Sequence, residues 1–168
     1  NLMEVSGLYE KLTSISPRKA TKDEILLFHT ENHYERMKSL NNSITADAGI
    51  SAPTGIGSFD IALLSAGGVL EAIDHVIDGK VDNAYALVRP PGHHAMPNKA
   101  MGFCIFGNAA IAGKHALKNK GLSKIAFVDW DVHHGNGTQT AFYEDSDALT
   151  ISIHQDRNFP TNSGLINE

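Results

Sequence analysis

Three apolar runs, each breaking off into polar residues of the same kind, constrain this chain more than any other feature. Ala84-Tyr85-Ala86-Leu87-Val88 leads into Arg89-Pro90-Pro91-Gly92-His93-His94. Lys124–Val128 leads into Asp129-Trp130-Asp131-Val132-His133-His134, and Leu149-Thr150-Ile151-Ser152-Ile153 into His154-Gln155-Asp156. Short continuous apolar runs of this kind predict strands buried on both faces. Around them the spacing predicts helices. Leu2, Val5, Leu8, Leu12 and Ile15 recur at helical intervals over residues 1–15. Thr21-Lys22-Asp23-Glu24 has the pattern of a capping box. The Ile25-Leu26-Leu27-Phe28 run that follows fits that helix or a short buried strand equally well. Further helices are expected over Glu31–Leu40, Phe59–Ile77, 108–120 and Thr138–Tyr143, with Gly79 and Gly121 as stops. Gly67-Gly68 in the middle of the long helix predicts close packing against a neighbour, since each glycine there costs about 1 kcal/mol relative to alanine. Residues 41–58, which include Asp47, read as a long loop. Strands alternating with helices predict an α/β fold, a parallel sheet with helices on both faces. In such a fold ligands bind beyond the carboxyl ends of the strands, where the three histidine-bearing segments emerge.

Composition narrows the function classes. A length of 168 residues with 42% hydrophobic content supports one folded domain with a real core. The single cysteine, Cys104, excludes a disulfide framework and a thiolate zinc finger. A net charge of -5 argues against a nucleic-acid binder. No apolar run approaches the roughly 18–20 residues of a membrane span, so no membrane partner is expected. Asn1-Leu2-Met3-Glu4 does not read as a signal peptide, because Glu4 and Glu10 interrupt any apolar region; a cytoplasmic protein is expected, or a nuclear one in a eukaryote.

The strand ends carry the chemistry. Asp131 and His133 are two apart, so a carboxylate and an imidazole converge on one point, as a metal site requires. Asp129 shares that face. Such a donor set without thiolate suits Zn²⁺ or Fe²⁺. Read alone, the same residues also fit a helix cap beside a surface histidine. His93 and His94, held behind a proline pair, suit placing a water and moving a proton near neutral pH; alone, they also read as two loop histidines. Met101-Gly102-Phe103-Cys104 places Phe103 in a pocket wall or in the core. Cys104, between Phe103 and Ile105, reads as a buried inert thiol rather than a nucleophile. Gly135-Asn136-Gly137 is a turn whose amides suit an anion or brace a histidine. His29, His33, His75 and His115 lack a partner pattern and read as structural or exposed.

Taken together, Arg89–Ala95, Met101–Cys104 and Val128–Gln139 closely resemble the histone deacetylase family. Trp130 and Asn136 are similar to its class II branch, and especially to bacterial histone deacetylase-like amidohydrolases. The likeness extends through Phe142-Tyr143, Ile151–His154 and the Ala66-Gly67-Gly68 helix. It implies an arginase-like fold and zinc-dependent removal of acetyl groups from acetyl-lysine in histones or other proteins. A small acetylated amine such as an acetylpolyamine is the alternative substrate, and a non-catalytic binding module the alternative function.

By position, the resemblance makes Asp131 and His133 two of three zinc ligands and His94 the general base. His93 becomes its electrostatic or acid partner, held by Asp129. Asn136 supports His94 where other branches carry an aspartate. Gly102, Phe103 and Phe159 line an acyl-lysine tunnel, and Asp47 falls near a rim aspartate that holds the substrate backbone. Structural K⁺ is implied at Asp129, Asp131, His133, Ser152 and Ile153, with Phe142, Asp145 and Ala148 matching part of an outer site. The third zinc ligand, an aspartate, and an oxyanion-binding tyrosine are expected beyond Glu168. Residues 1–168 then read as the N-terminal part of a deacetylase domain that is inactive by itself. The motifs set no oligomeric state.

Overall fold

The structure is a computed structural model that describes residues 2–166. Its first segment is only loosely packed. Leu2–Val5 forms a single helical turn (α1), and Tyr9–Lys11 a 3-10 turn. The helix expected over 1–15 is therefore broken, and Asn1, its first residue, lies outside the described residues. The apolar stripe is mostly exposed: Leu2 and Val5 are 84% and 86% exposed, and Gly7 at φ +70° reverses the backbone between the two turns. Periodicity without a facing surface does not hold a helix together.

Lys22–Ile25 (α2) begins with a true capping box. The Thr21 hydroxyl accepts from the Glu24 amide, and the Glu24 carboxylate accepts from the Thr21 amide at 2.7 Å. The chain continues from Ile25 in turns, so the strand alternative for Ile25–Phe28 is not realised, and Ile25 enters the core completely. Glu31–Ser39 (α3), capped by Thr30, buries His33, Tyr34 and Met37 on one side. The loop expected over 41–58 holds three two-residue strands: Ala46–Asp47 (β1), Gly49–Ile50 (β2) and Pro53–Thr54 (β3). β1 and β3 pair antiparallel and close the loop on itself.

Ser58–Ile77 (α4) is the organising helix; Leu63, Ala66 and Leu70 form its core face. A Cβ on Gly67 would lie 1.9 Å from the Arg18 carbonyl oxygen, so the packing expected at this glycine is backbone against backbone. Arg18 continues the joint. Its guanidinium holds Glu24 at 2.6 and 2.7 Å and Glu71 of α4 at 2.7 Å. That pairing keeps the Glu24 carboxyl down at about 2, against the opposing effect of burial. Ala100–Met101 (β4) pairs parallel with β2, and Asn108–Lys118 (α5) packs along α4. Ile125–Asp129 (β5), Asn136–Phe142 (α6) and Ala148–Ser152 (β6) complete the fold. β5 and β6 are parallel and run in register from Ile125 opposite Ala148 to Asp129 opposite Ser152.

One face of this ladder is covered by helices. Phe127 stacks on Phe142 at 4.9 Å, and both rings, with Ile125, crowd Gly113 of α5. On the other face Val128, Leu149 and Ile151 are 54%, 58% and 41% exposed. The two strands thus alternate between half-buried and exposed rather than being buried on both faces, among the described residues. The strand expected at Ala84–Val88 is not formed. No described residue pairs with it, and Tyr85 and Leu87 are largely exposed. Ala84 and Ala86 face Ala126 and Phe127 across a gap of about 430 Å³ instead of hydrogen bonding to β5. No helix among the described residues is long and apolar enough to cross a membrane.

Candidate active site

The parallel register of β5 and β6 places Asp129 and Ser152 side by side at one sheet edge, and the polar segments follow from there. The Ile153 amide donates to the Asp129 carbonyl at 2.8 Å, and the Gln155 amide to the Val132 carbonyl at 2.9 Å, so the two segments leave the sheet together. The segment carrying His93 reaches the same edge. Asn108 at the start of α5 and Ser65 of α4 both hydrogen bond to the Pro90 carbonyl, and the Gly137 amide at the start of α6 donates to the His93 carbonyl at 2.8 Å.

His93 and His94 lie with ring centroids 3.9 Å apart, yet their partners differ in charge. His93 Nδ1 pairs with the Asp129 carboxylate at 2.8 Å. His94 Nδ1 pairs with the Asn136 amide oxygen at 2.8 Å. Burial pushes the His94 imidazole down to about 4, the Asn136 hydrogen bond opposes that, and His93 and His133 lower it further. His94 is therefore neutral at physiological pH. Burial disfavours the Asp129 anion, but the His93 contact and the Asp131 amide outweigh it and hold its carboxyl below the usual range. One imidazole is thus braced by an anion and its neighbour by a neutral amide.

Asp131 and His133 converge as their spacing predicts. His133 Nδ1 lies 3.1 Å from Asp131 Oδ1, and His93 Nε2 is 3.8 Å from that oxygen. Both side chains stay part-exposed, at 39% for His133 and 48% for Asp131. Among the described residues no third histidine, cysteine or acidic side chain completes a cluster for a metal ion. Of the residues expected at potassium sites, Asp129, Asp131, His133, Ser152 and Ile153 do gather at this sheet edge. Beside the outer set, Lys114 Nζ is 2.9 Å from Asp145 and 4.4 Å from the centre of the Phe142 ring.

The wall beside the histidines is built by a strained turn. Gly102 and Phe103 both have positive φ, +52° and +65°. Their amides donate to the Ile50 and Ser51 carbonyls at 2.9 Å, which hangs the turn on the 46–54 loop. A Cβ on Gly102 would lie 2.4 Å from His94 Cδ2 and 2.7 Å from Phe159 Cε1, so only glycine lets these two rings meet edge to face at 4.9 Å. Phe103 stands 64% exposed beside this contact, a left-handed phenylalanine held out towards solvent. Asp47 Oδ1 accepts from the Gly49 and Ala52 amides, so in this structure Asp47 braces the loop that carries the turn. Cys104 is fully buried, its sulfur beside the His94 amide, and burial pushes the thiol up to about 12, in keeping with an inert thiol.

A sequence profile of the histone deacetylase domain matches residues 1–168. The chain belongs to the histone deacetylase family. This deacetylase domain is 47% identical over 160 residues to a histone deacetylase-like amidohydrolase of Pseudomonas aeruginosa, covering 95% of the chain and 42% of that protein. It is 44% identical to histone deacetylase HDA1 of Candida albicans, over 88% of the chain and 19% of that protein. A probable deacetylase of Archaeoglobus fulgidus shares 43% identity, over 87% of the chain and 40% of that protein. The crystal structure of the HDA15 HD domain superposes with a TM-score of 0.92 at 36% identity, covering 97% of this chain and 48% of that one. The chain thus spans less than half the length of the curated relatives it matches, and its fold is that of a deacetylase domain.

Some contacts of the deacetylase domain have no counterpart in the sequence reading. Asn136 Nδ2 points at the sulfurs of Met96, 3.2 Å away, and Met101, 3.8 Å away. The only hint in the sequence is that these methionines flank the loop between the two motifs. His29 and His33, buried and stacked at 4.8 Å, hold the backbone of Pro97, Ile105 and Gly107, the two ends of the 97–107 segment. His134 and His154 pack at 4.7 Å, and bond Ser163 and Gly164, which fastens the segment bearing Phe159.

Proposed function

We propose that this domain serves a zinc-dependent deacetylase that hydrolyses the amide of an acetylated amine, with acetyl-lysine in histones or other proteins as the first substrate class. The observation that carries the proposal is the pairing of the two histidines. One is braced by Asp129 and the other by Asn136, immediately beside the Asp131–His133 pair. Asp131 Oδ1 and His133 Nδ1 fit a divalent metal by chemistry and by convergence, as a carboxylate and an imidazole without thiolate. Zn²⁺, or Fe²⁺ in its place, would supply a Lewis acid that polarises the acetyl carbonyl and acidifies water. His94, neutral and held at Nδ1, accepts at Nε2 the proton of the attacking water and later returns it to the departing amine. His93, oriented by Asp129, stabilises the charge that develops beside it. Gly102, Phe103 and Phe159 form the apolar walls that admit a thin acyl chain and exclude bulk water. Asp47 positions the substrate backbone at the rim. A third metal ligand and a donor to the oxyanion come, in this reading, from outside the described residues. Asp129, Asp131, His133, Ser152 and Ile153 form a structural K⁺ site, and the protein works in the cytoplasm or nucleus.

The intact protein is expected to contain stoichiometric zinc and to cleave an acetyl-lysine reporter. His94→Ala is expected to abolish turnover and leave the metal content unchanged. Full activity after that substitution would refute the base assignment. A panel comparing acetyl-lysine peptides with acetylated polyamines then fixes the substrate class.

A further inference from the structure

The Asn136 side chain is a switch with two settings. Its amide offers an acceptor on one branch and donors on the other, and a 180° turn exchanges them. His94 Nδ1 accepts either setting, because an imidazole carries its proton on one nitrogen or the other. With Oδ1 facing it, Nδ1 holds the proton and Nε2 keeps a lone pair. With Nδ2 facing it, Nδ1 must accept and the proton moves to Nε2, where a base cannot use it. Nothing in the Asn136–His94 contact itself decides between the two. The other side of the amide does decide. Nδ2 faces Met96 Sδ at 3.2 Å and Met101 Sδ at 3.8 Å, and the Thr140 hydroxyl donates to the Asn136 backbone carbonyl at 2.8 Å, with Met96 Sδ 3.8 Å away. A thioether can accept a hydrogen bond and cannot donate one. Turning the amide would put its oxygen lone pairs against two sulfurs. Met96 and Met101 also line an open groove of about 1280 Å³ beside Asn136. Water in their place would accept or donate with equal ease and would select neither setting.

We infer that Met96 and Met101 are positioning residues: their sulfurs lock the Asn136 amide so that its oxygen faces His94, which fixes the proton on Nδ1 and leaves Nε2 as the base. The inference rests on the proposed role of His94, but its first readout does not. Imidazole ¹⁵N NMR of the intact, metal-loaded protein distinguishes the two ring tautomers, with His94 assigned by comparison with His94→Gln. The parent is expected to show the Nδ1–H form alone, and Met96→Leu/Met101→Leu a mixture of both. The same double substitution is expected to lower kcat about tenfold, the scale on which a supporting contact acts, with little change in KM. Asn136→Asp has two equivalent oxygens and needs no orientation. Added to the double variant, it is expected to restore the single Nδ1–H form and to make kcat indifferent to the leucines. A double variant that folds as the parent does and keeps only the Nδ1–H form overturns the inference. A tautomer mixture in a protein that fails to hydrolyse acetylated amines supports it and removes the proposed reaction instead.

Discussion

Gly102 shows how much of a site depends on a residue with no chemistry of its own. Its backbone lies so close to His94 and Phe159 that a Cβ would strike both rings, in a left-handed conformation that alanine resists. Gly102→Ala is expected to push the two rings apart and lower kcat/KM on an acetyl-lysine reporter about a hundredfold, the effect of roughly 1 Å of misplacement. Under the proposed function, zinc content should stay unchanged, because the atoms nearest a Gly102 Cβ belong to His94 and Phe159. Unaltered turnover would show that the ring contact is unimportant. Residues of this kind mark the limit of reading a site from sequence. His93, His94, Asp131 and His133 stand out by type and spacing, and the structure brings them together. Met96 and the Ile50–Ser51 backbone act through shape and acceptor geometry, which no residue type declares in advance.

The long helix makes a sharper test at the scale of elements. Gly67 and Gly68 are neighbours with opposite surroundings. A Cβ at Gly67 would strike the Arg18 carbonyl at 1.9 Å, whereas one at Gly68 would meet Val88 and Pro17 side chains at 3.4 and 3.5 Å. Gly67→Ala is expected to destabilise by about 1–3 kcal/mol, as overpacking against a rigid partner does. Gly68→Ala is expected to gain up to about 1 kcal/mol from helix propensity. Urea unfolding of the two variants checks both signs. The sequence pattern does announce α3, α4 and α5, which bury their apolar faces where the pattern says, and it locates β5 and β6, although these strands cover one face where burial on both is predicted. It misleads at Ala84–Val88, whose composition suits a strand but which no described strand pairs with. It misleads again at residues 1–15, whose stripe finds no surface. Apolar pattern reports what a segment would do with a partner, and not whether the partner is there.

For the molecule as a whole, acid is the expected weak point. His29 and His33 sit in the core, where burial pushes His29 down to about 3 and lowers His33 as well. The unfolded chain takes up these protons near pH 6.5 and the folded one does not. Stability from this pair is therefore fully present above about pH 6.5 and drains away as pH falls towards 3. Glu24 adds a loss between its unfolded value of 4.5 and about 2. Denaturant midpoints measured from pH 7.5 to 4 should fall steadily. His33→Gln should flatten the upper part of that slope, and a slope unchanged by it would place the titrating groups elsewhere. The order in which the site assembles follows from its wiring. Asp131 and His133 are two residues apart, while His93 finds Asp129 across 36 residues and His94 finds Asn136 across 42. Closing those longer loops costs chain entropy that the local pair avoids. In a chain emerging or refolding, the local Asp131–His133 pair is thus expected to form before the His93–Asp129 and His94–Asn136 pairs, and under the proposed function the capture of a metal ion and competence for chemistry would become separate moments in the protein's life.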